Sequence, residues 1–140
     1  MGYADNSKVK GDAAEVAALS LFKMNGYAVS IPFGENTPYD LVVESPTNVL
    51  YRIQVRWCGW KKGALGINLR SFNGKVHSTL DRGRIDAFVA WDGDHAFVVP
   101  VTDTMGCRAY FSIRREPPKN GQAKGIRLAA QYQTAFHLLP

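Results

Sequence analysis

Two short apolar runs leave this chain one way to pair them. Residues 40–44 (Asp-Leu-Val-Val-Glu) and 50–57 (Leu-Tyr-Arg-Ile-Gln-Val-Arg-Trp) flank the turn Ser45-Pro46-Thr47-Asn48-Val49. Both read as strands of one hairpin. In the second, Tyr51, Ile53, Val55 and Trp57 share a face, and Arg52, Gln54 and Arg56 share the other. In the first, Leu41 and Val43 alternate with Asp40 and Val42. A slip of one residue turns every side chain over, so the apolar faces coincide only when Glu44 lies opposite Leu50. That register sets Asp40 across from Gln54, about 5 Å away at Cβ, with Arg56 on the diagonal at about 7–8 Å.

Charge is concentrated just after this unit. The 140 residues carry a net charge of +5. Residues 1–44 hold three basic and six acidic side chains, whereas residues 45–84 hold eight basic ones and only Asp81. Such a local excess suits a polyanion, most often nucleic acid, and is equally what a solvated basic surface looks like. Lys61, Lys62, Arg70, Lys75, Arg82 and Arg84 are the candidate phosphate contacts. The length suits one domain over residues 1–140. No apolar run reaches the roughly 20 residues of a membrane span, and Met1 to Gly11 lacks the apolar stretch of a signal peptide. Cys58 and Cys107 have no partner at zinc spacing and read as reduced thiols. The expected location is cytoplasmic, on the nucleoid if the source is prokaryotic.

Lys10 to Asn25 reads as a helix closed by Gly26, with Glu15, Leu19 and Phe22 on one stripe. Tyr27 to Ile31 reads as a strand, and residues 32–38 as a loop of turn formers. After the hairpin come a strand at Ala64 to Leu69 and an exposed basic loop at Asn73 to Arg84. A second hairpin, Asp86 to Trp91 and Ala96 to Val101, turns at Asp92-Gly93-Asp94. A strand at Arg108 to Ile113, a loop and a helix at Ile126 to Phe136 complete the chain. The order predicts an α/β or α+β domain, with helices flanking one mixed sheet.

Phosphodiester hydrolysis needs an aligned water, a divalent cation and a positive group near the reacting phosphate. Magnesium takes one or two carboxylates together with carbonyl, water and phosphate oxygens. Asp40 offers a carboxylate, Gln54 a neutral oxygen, the Val55 carbonyl another, and Glu15 a second carboxylate if the helix packs onto this face. Taken alone, an Asp followed by Gln-x-Arg reads equally as an Asp–Arg pair at a sheet edge. His77, His95 and His137 share no metal-site spacing. Trp57 and Trp60 suit base contacts or packing under the hairpin. Asp92-Gly93-Asp94 lacks the rest of a calcium loop and reads as a turn. Arg114-Arg115 and the loop from Lys119 to Arg127 are a second basic region.

Read in order, Lys10-Gly11-Asp12-Ala13-Ala14-Glu15, Pro32-Phe33-Gly34-Glu35-Asn36, Tyr39-Asp40-Leu41-Val42-Val43 and Tyr51-Arg52-Ile53-Gln54-Val55-Arg56 resemble the PD-(D/E)XK nucleases. Ile85-Asp86-Ala87-Phe88, Val98-Val99-Pro100-Val101 and residues 120–127 continue the likeness, which is strongest to the small endonucleases of group I introns and their free-standing relatives. Ordered matches are more specific than any single motif. The resemblance implies a restriction-endonuclease-like core and a magnesium-dependent DNA endonuclease of the site-specific homing kind, with Mn2+ as the substitute ion. It implies double-stranded DNA as partner and a homo-oligomer, dimer or tetramer. It places Asp40 as metal-binding aspartate, Gln54 in place of the second acid, Glu15 as the helix glutamate, and Arg56 on the catalytic lysine. Arginine stays charged and cannot plausibly act as a base. Two other readings keep the fold: a DNA-binding module with impaired catalysis, and a nuclease of the Holliday-junction resolvase type.

Overall fold

The computed structural model describes residues 6–34, 36–73, 76–79, 82–122 and 124–139. Helix α1 runs Ser7–Met24. It begins where the Asn6 side chain accepts hydrogen bonds from the amides of Lys8 (3.0 Å) and Val9 (3.1 Å), a cap worth about 1 kcal/mol. It ends before Gly26, whose φ of +86° is open to glycine and strained for other residues. The stripe facing the core is Ala14, Ala18 and Phe22, one residue off the expected centre. Two alanines bring the helix close to the sheet, while Glu15 is left half-buried at the stripe's margin.

Strands β1 (Ala28–Ser30), β2 (Leu41–Glu44) and β3 (Leu50–Trp57) lead into β4 (Trp60–Lys61), β5 (Ala64–Asn68), β6 (Arg70–Asn73) and β7 (Val76–Thr79). Strands β8 (Ala87–Trp91), β9 (Ala96–Pro100) and β10 (Tyr110–Arg114) follow. A five-stranded sheet has the order β1-β2-β3-β8-β9, antiparallel except for the β3–β8 pair. The mixed sheet is as expected. So is the register, with Glu44 opposite Leu50 and Leu41 opposite Ile53. The pairing ends at Leu41, and Asp40, expected across from Gln54, donates its amide to the Ile53 carbonyl.

The sheet is buried on both faces. Leu41, Val43, Tyr51, Ile53, Val55, Val89 and Val98 meet Ala14, Ala18 and Phe22 of the helix. The opposite face, with Phe88, Phe97 and Val99, meets Leu65, Ile67, Phe111 and Ile113 of a second sheet ordered β10-β5-β4. Double burial explains why β8 and β9 read as continuous apolar runs instead of alternating.

Three expectations are corrected. A second, three-stranded sheet replaces helices on the far face, so α1 is the one α-helix among the described residues. The expected loop at Asn73 to Arg84 instead holds β7, which pairs antiparallel with β6, and a 3₁₀ turn at Arg82–Arg84. The expected helix at Ile126 to Phe136 is instead a pair of 3₁₀ turns, Ala129–Gln131 and Phe136–Leu138. Its backbone is used elsewhere: the Val98 amide donates to the Tyr132 carbonyl and the Thr134 amide to the Ala96 carbonyl, both at 2.8 Å. These bonds cover the open edge of β9, which outweighs local helix propensity. Phe136 then stacks edge-on against Phe22 with ring centres 5.0 Å apart.

Candidate active site and nucleic-acid face

The candidate site forms where β2 and β3 part. The Asp40 amide donates to the Ile53 carbonyl at 2.8 Å, and before Asp40 the chain turns away through Pro38. The next amide on β3, that of Val55, therefore has no strand to pair with. The Asp40 side chain takes that place, its Oδ2 accepting the Val55 N–H at 2.8 Å. In an extended strand the N–H and C=O of one residue point to the same side. The Val55 carbonyl is thus aimed at the same opening.

Glu15 and Asp40 line one cavity of about 280 Å³, with Ile31, Pro32, Thr37 and Tyr39 as its other walls. Burial raises the Glu15 pKa above the ordinary carboxylate range, and the charges of Asp40 and then Asp12 raise it further. Burial also raises Asp40, against the Val55 hydrogen bond and the charge of Arg56. Two acids held in one partly desolvated cavity, with the charge of Asp40 disfavouring that of Glu15, form a site that a cation would relieve. The donors suit Mg2+, which binds through one or two carboxylates and oxygens of other kinds. Among the described residues no three His, Cys, Asp or Glu side chains cluster. The candidate ligands are therefore these two carboxylates and the Val55 carbonyl.

Gln54 is 9% exposed and leaves β3 on the face opposite Ile53 and Val55, in register with Phe88 of β8. It is not part of the wall shared by Glu15 and Asp40. Arg56 is close enough to be felt by Asp40, yet its guanidinium is committed elsewhere. Its Nη2 donates to the Arg70 carbonyl at 3.0 Å, and its Nε is buried without a hydrogen bond among the described residues. Burial lowers its pKa, while Asp40 and Cys58 hold it up.

Of the expected phosphate contacts, Lys61 and Lys62 are exposed at the β4–β5 turn, and Arg84 is exposed in its 3₁₀ turn. Arg70 is exposed and lines a cavity of about 470 Å³ with Arg82 and Arg108. Arg82 is largely structural, since its guanidinium donates to the carbonyls of Thr104 and Cys107. Lys75 lies outside the described residues. Arg52 is also structural: it grips Asp86 through Nε (3.0 Å) and Nη2 (3.1 Å), and that pairing lowers the Asp86 pKa. Trp60 is packed, donating to Asp92 at 2.9 Å beneath the Arg115 guanidinium. Asp92-Gly93-Asp94 is the expected turn, its Asp92 Oδ1 accepting the Asp94 amide at 2.8 Å. Burial pushes the Cys58 thiol up to about 12, so it is inert at neutral pH.

Two residues of this face went unnoticed in the sequence. Arg108 sits in a short run with no charge cluster to mark it. Lys10 lies one helical turn before Ala14, and its relation to β3 exists only after packing.

The raised Glu15 pKa has a consequence for stability. Protonated Glu15 stabilises the fold fully below the unfolded carboxylate range, about 4.3, and that contribution is lost as pH rises through the higher folded value. Glu15→Gln removes the loss. Without added metal, the variant should melt above the parent at neutral pH, and the gap should close as the solution is made acidic. Thermal melting across pH 4–8 measures it; a variant no more stable at neutral pH would refute the electrostatic account.

A family profile described as PD-(D/E)XK endonuclease matches residues 5–135. In solved structures, the chain is similar to the bacterial homing endonuclease I-Ssp6803I, with a TM-score of 0.71 and 24% identity over 96% of this chain and 93% of that one. At that identity the likeness is one of fold. Among curated proteins a sequence search finds no match. With nearly its whole length inside the family profile and the fold to go with it, this chain belongs to the PD-(D/E)XK endonucleases.

Proposed function

We propose that this protein is a magnesium-dependent endonuclease that hydrolyses phosphodiester bonds of double-stranded DNA at specific sites, in the manner of a homing enzyme. One observation carries the reading: the Asp40 carboxylate, held by the Val55 amide where two strands part, shares a half-buried cavity with Glu15. Nucleases of this family generally use a divalent metal, usually Mg2+. Glu15, Asp40 and the Val55 carbonyl would hold it. Bound there, Mg2+ supplies charge neutralisation at the reacting phosphate. Mn2+ has similar ligand preferences and should substitute.

The protein's own groups do the rest. The Asp40–Val55 hydrogen bond fixes the carboxylate before substrate arrives, so no reorganisation is needed during reaction. Arg70 and Arg108 would hold the DNA backbone beside the site, with Lys61, Lys62 and Arg84 further along. Site specificity is supported by the shared fold with a bacterial homing endonuclease. Cutting both strands at one site takes two active centres, which favours a homo-oligomer.

A second reading, a DNA-binding module with weak catalysis, is favoured by one feature: the Arg56 guanidinium is tied to a main-chain carbonyl. A plasmid library incubated with the protein and Mg2+ separates the two. The endonuclease reading expects discrete cuts that EDTA abolishes and Mn2+ restores. Salt-sensitive DNA binding without any cut would establish the module instead.

A further inference from the structure

We propose that Lys10, at the end of the first turn of α1, supplies the cation that acts at the cleaved phosphate, in the place that Arg56 does not fill; this rests on the endonuclease reading above. Lys10, Gly11, Val55, Arg56 and Trp57 line a cavity of about 350 Å³. That cavity adjoins the one holding Glu15 and Asp40, because Val55 borders the first and its amide is bonded to Asp40 of the second. The helix joins them too. Gly11 and Glu15 are one turn apart on the same side of α1, so the two cavities lie along one flank of this helix. Gly11 leaves the Lys10 cavity open, for a Cβ there would meet nothing within 4 Å.

The two cations of this cavity are held differently. Arg56 is anchored: its Nη2 is bonded to the Arg70 carbonyl, and its Nε is sealed from solvent. Moving it toward a phosphate would break the side-chain bond that ties β3 to the backbone of β6. Lys10 is half-buried along its stem, and its Nζ rests 5.7 Å from the centre of the Trp57 ring. Among the described residues it forms no ion pair. A contact to an aromatic face at that distance is soft and easily exchanged for a phosphate oxygen. Four flexible methylenes and three donors let the ammonium follow a substrate that a rigid guanidinium fork cannot. Trp57 thus parks the amine at the entrance while leaving it free to move.

The test uses the full chain with supercoiled plasmid and Mg2+, comparing the parent with Lys10→Ala, Lys10→Arg, Arg56→Lys and the Lys10→Ala/Arg56→Lys double variant. Nicking rate, DNA affinity and melting temperature are read for each. Lys10→Ala should nick about tenfold slower, with affinity and melting near the parent's, and Lys10→Arg should recover part of the rate. In the Arg56→Lys background, removing Lys10 should cost far less, because a lysine on β3 can then take the role. A parent-like rate for Lys10→Ala would overturn the proposal. So would a rate loss that follows affinity or melting, or the same loss in both backgrounds. If the parent is inert and Arg56→Lys cuts, the nuclease site stands and the Lys10 role falls. If none of the five cuts while all bind DNA, the endonuclease reading itself is lost, and Lys10 with it.

Discussion

Asp40→Asn should abolish DNA cleavage while leaving the fold and DNA affinity nearly intact. Asparagine keeps an oxygen that can accept the Val55 N–H, so the parted end of the hairpin need not collapse. What it removes is charge. The cavity then holds one carboxylate, Glu15, and a divalent ion loses its strongest anchor. Loss of a preorganised group that stabilises charge typically costs about 2.7–4 kcal/mol of barrier, or roughly 10²–10³ in rate, and loss of metal occupancy compounds it. A fall of about 1,000-fold in nicking rate is expected at a DNA affinity within about threefold of the parent's. Cleavage that survives the change would locate the active centre elsewhere.

Replacing both Arg70 and Arg108 by alanine should weaken DNA binding about 100-fold near physiological salt. The two side chains are exposed on the wall of one cavity that has no carboxylate in it. Each charged hydrogen bond to a phosphate is worth about 1.5 kcal/mol, close to a factor of ten. Each lost phosphate contact also releases about 0.9 fewer counterions, so the slope of log affinity against log salt should flatten by about 2. The Arg70 carbonyl that receives Arg56 is kept by alanine, so the effect is confined to the side chains. Arg82 is left in place because its guanidinium supports the turn at Thr104 and Cys107. An unchanged slope would mean the DNA lies on another face.

Much of the site's frame was legible in the sequence. Alternation with a period of two, interrupted by Ser45-Pro46-Thr47-Asn48-Val49, allowed one register, and the pairing of Leu41 with Ile53 and Glu44 with Leu50 agrees. The nearness of Glu15 to Asp40 came from the family resemblance, since alternation says nothing about which helix packs where. The closing segment was misread because Ala129, Ala130, Tyr132 and Ala135 have helix-like spacing and composition. Their amides and carbonyls found better partners on the edge of β9. The segment after Asn73 was misread for lack of apolar periodicity; its strand β7 is held by backbone pairing with β6 that side-chain pattern does not reveal.

The partners of the basic residues divide along the same line. Arg52, Arg56 and Arg82 look alike in sequence as members of one positive run. In the fold, one grips Asp86, one a carbonyl of β6, and one two carbonyls of a turn. Each choice depends on which distant oxygen the fold brings within reach, and no local pattern encodes that.

Sequence alone determined the hairpin, its register, the first helix and the mixed-sheet class, because these follow from side-chain alternation, caps and turn residues acting over a few positions. Tertiary structure decided what the site's charges do. Only packing of α1 against β3 sets Glu15 beside Asp40 and Lys10 beside Val55, and only the approach of β6 draws the Arg56 guanidinium onto a backbone carbonyl. Electrostatic partners are chosen by distance in space, which chain spacing leaves open.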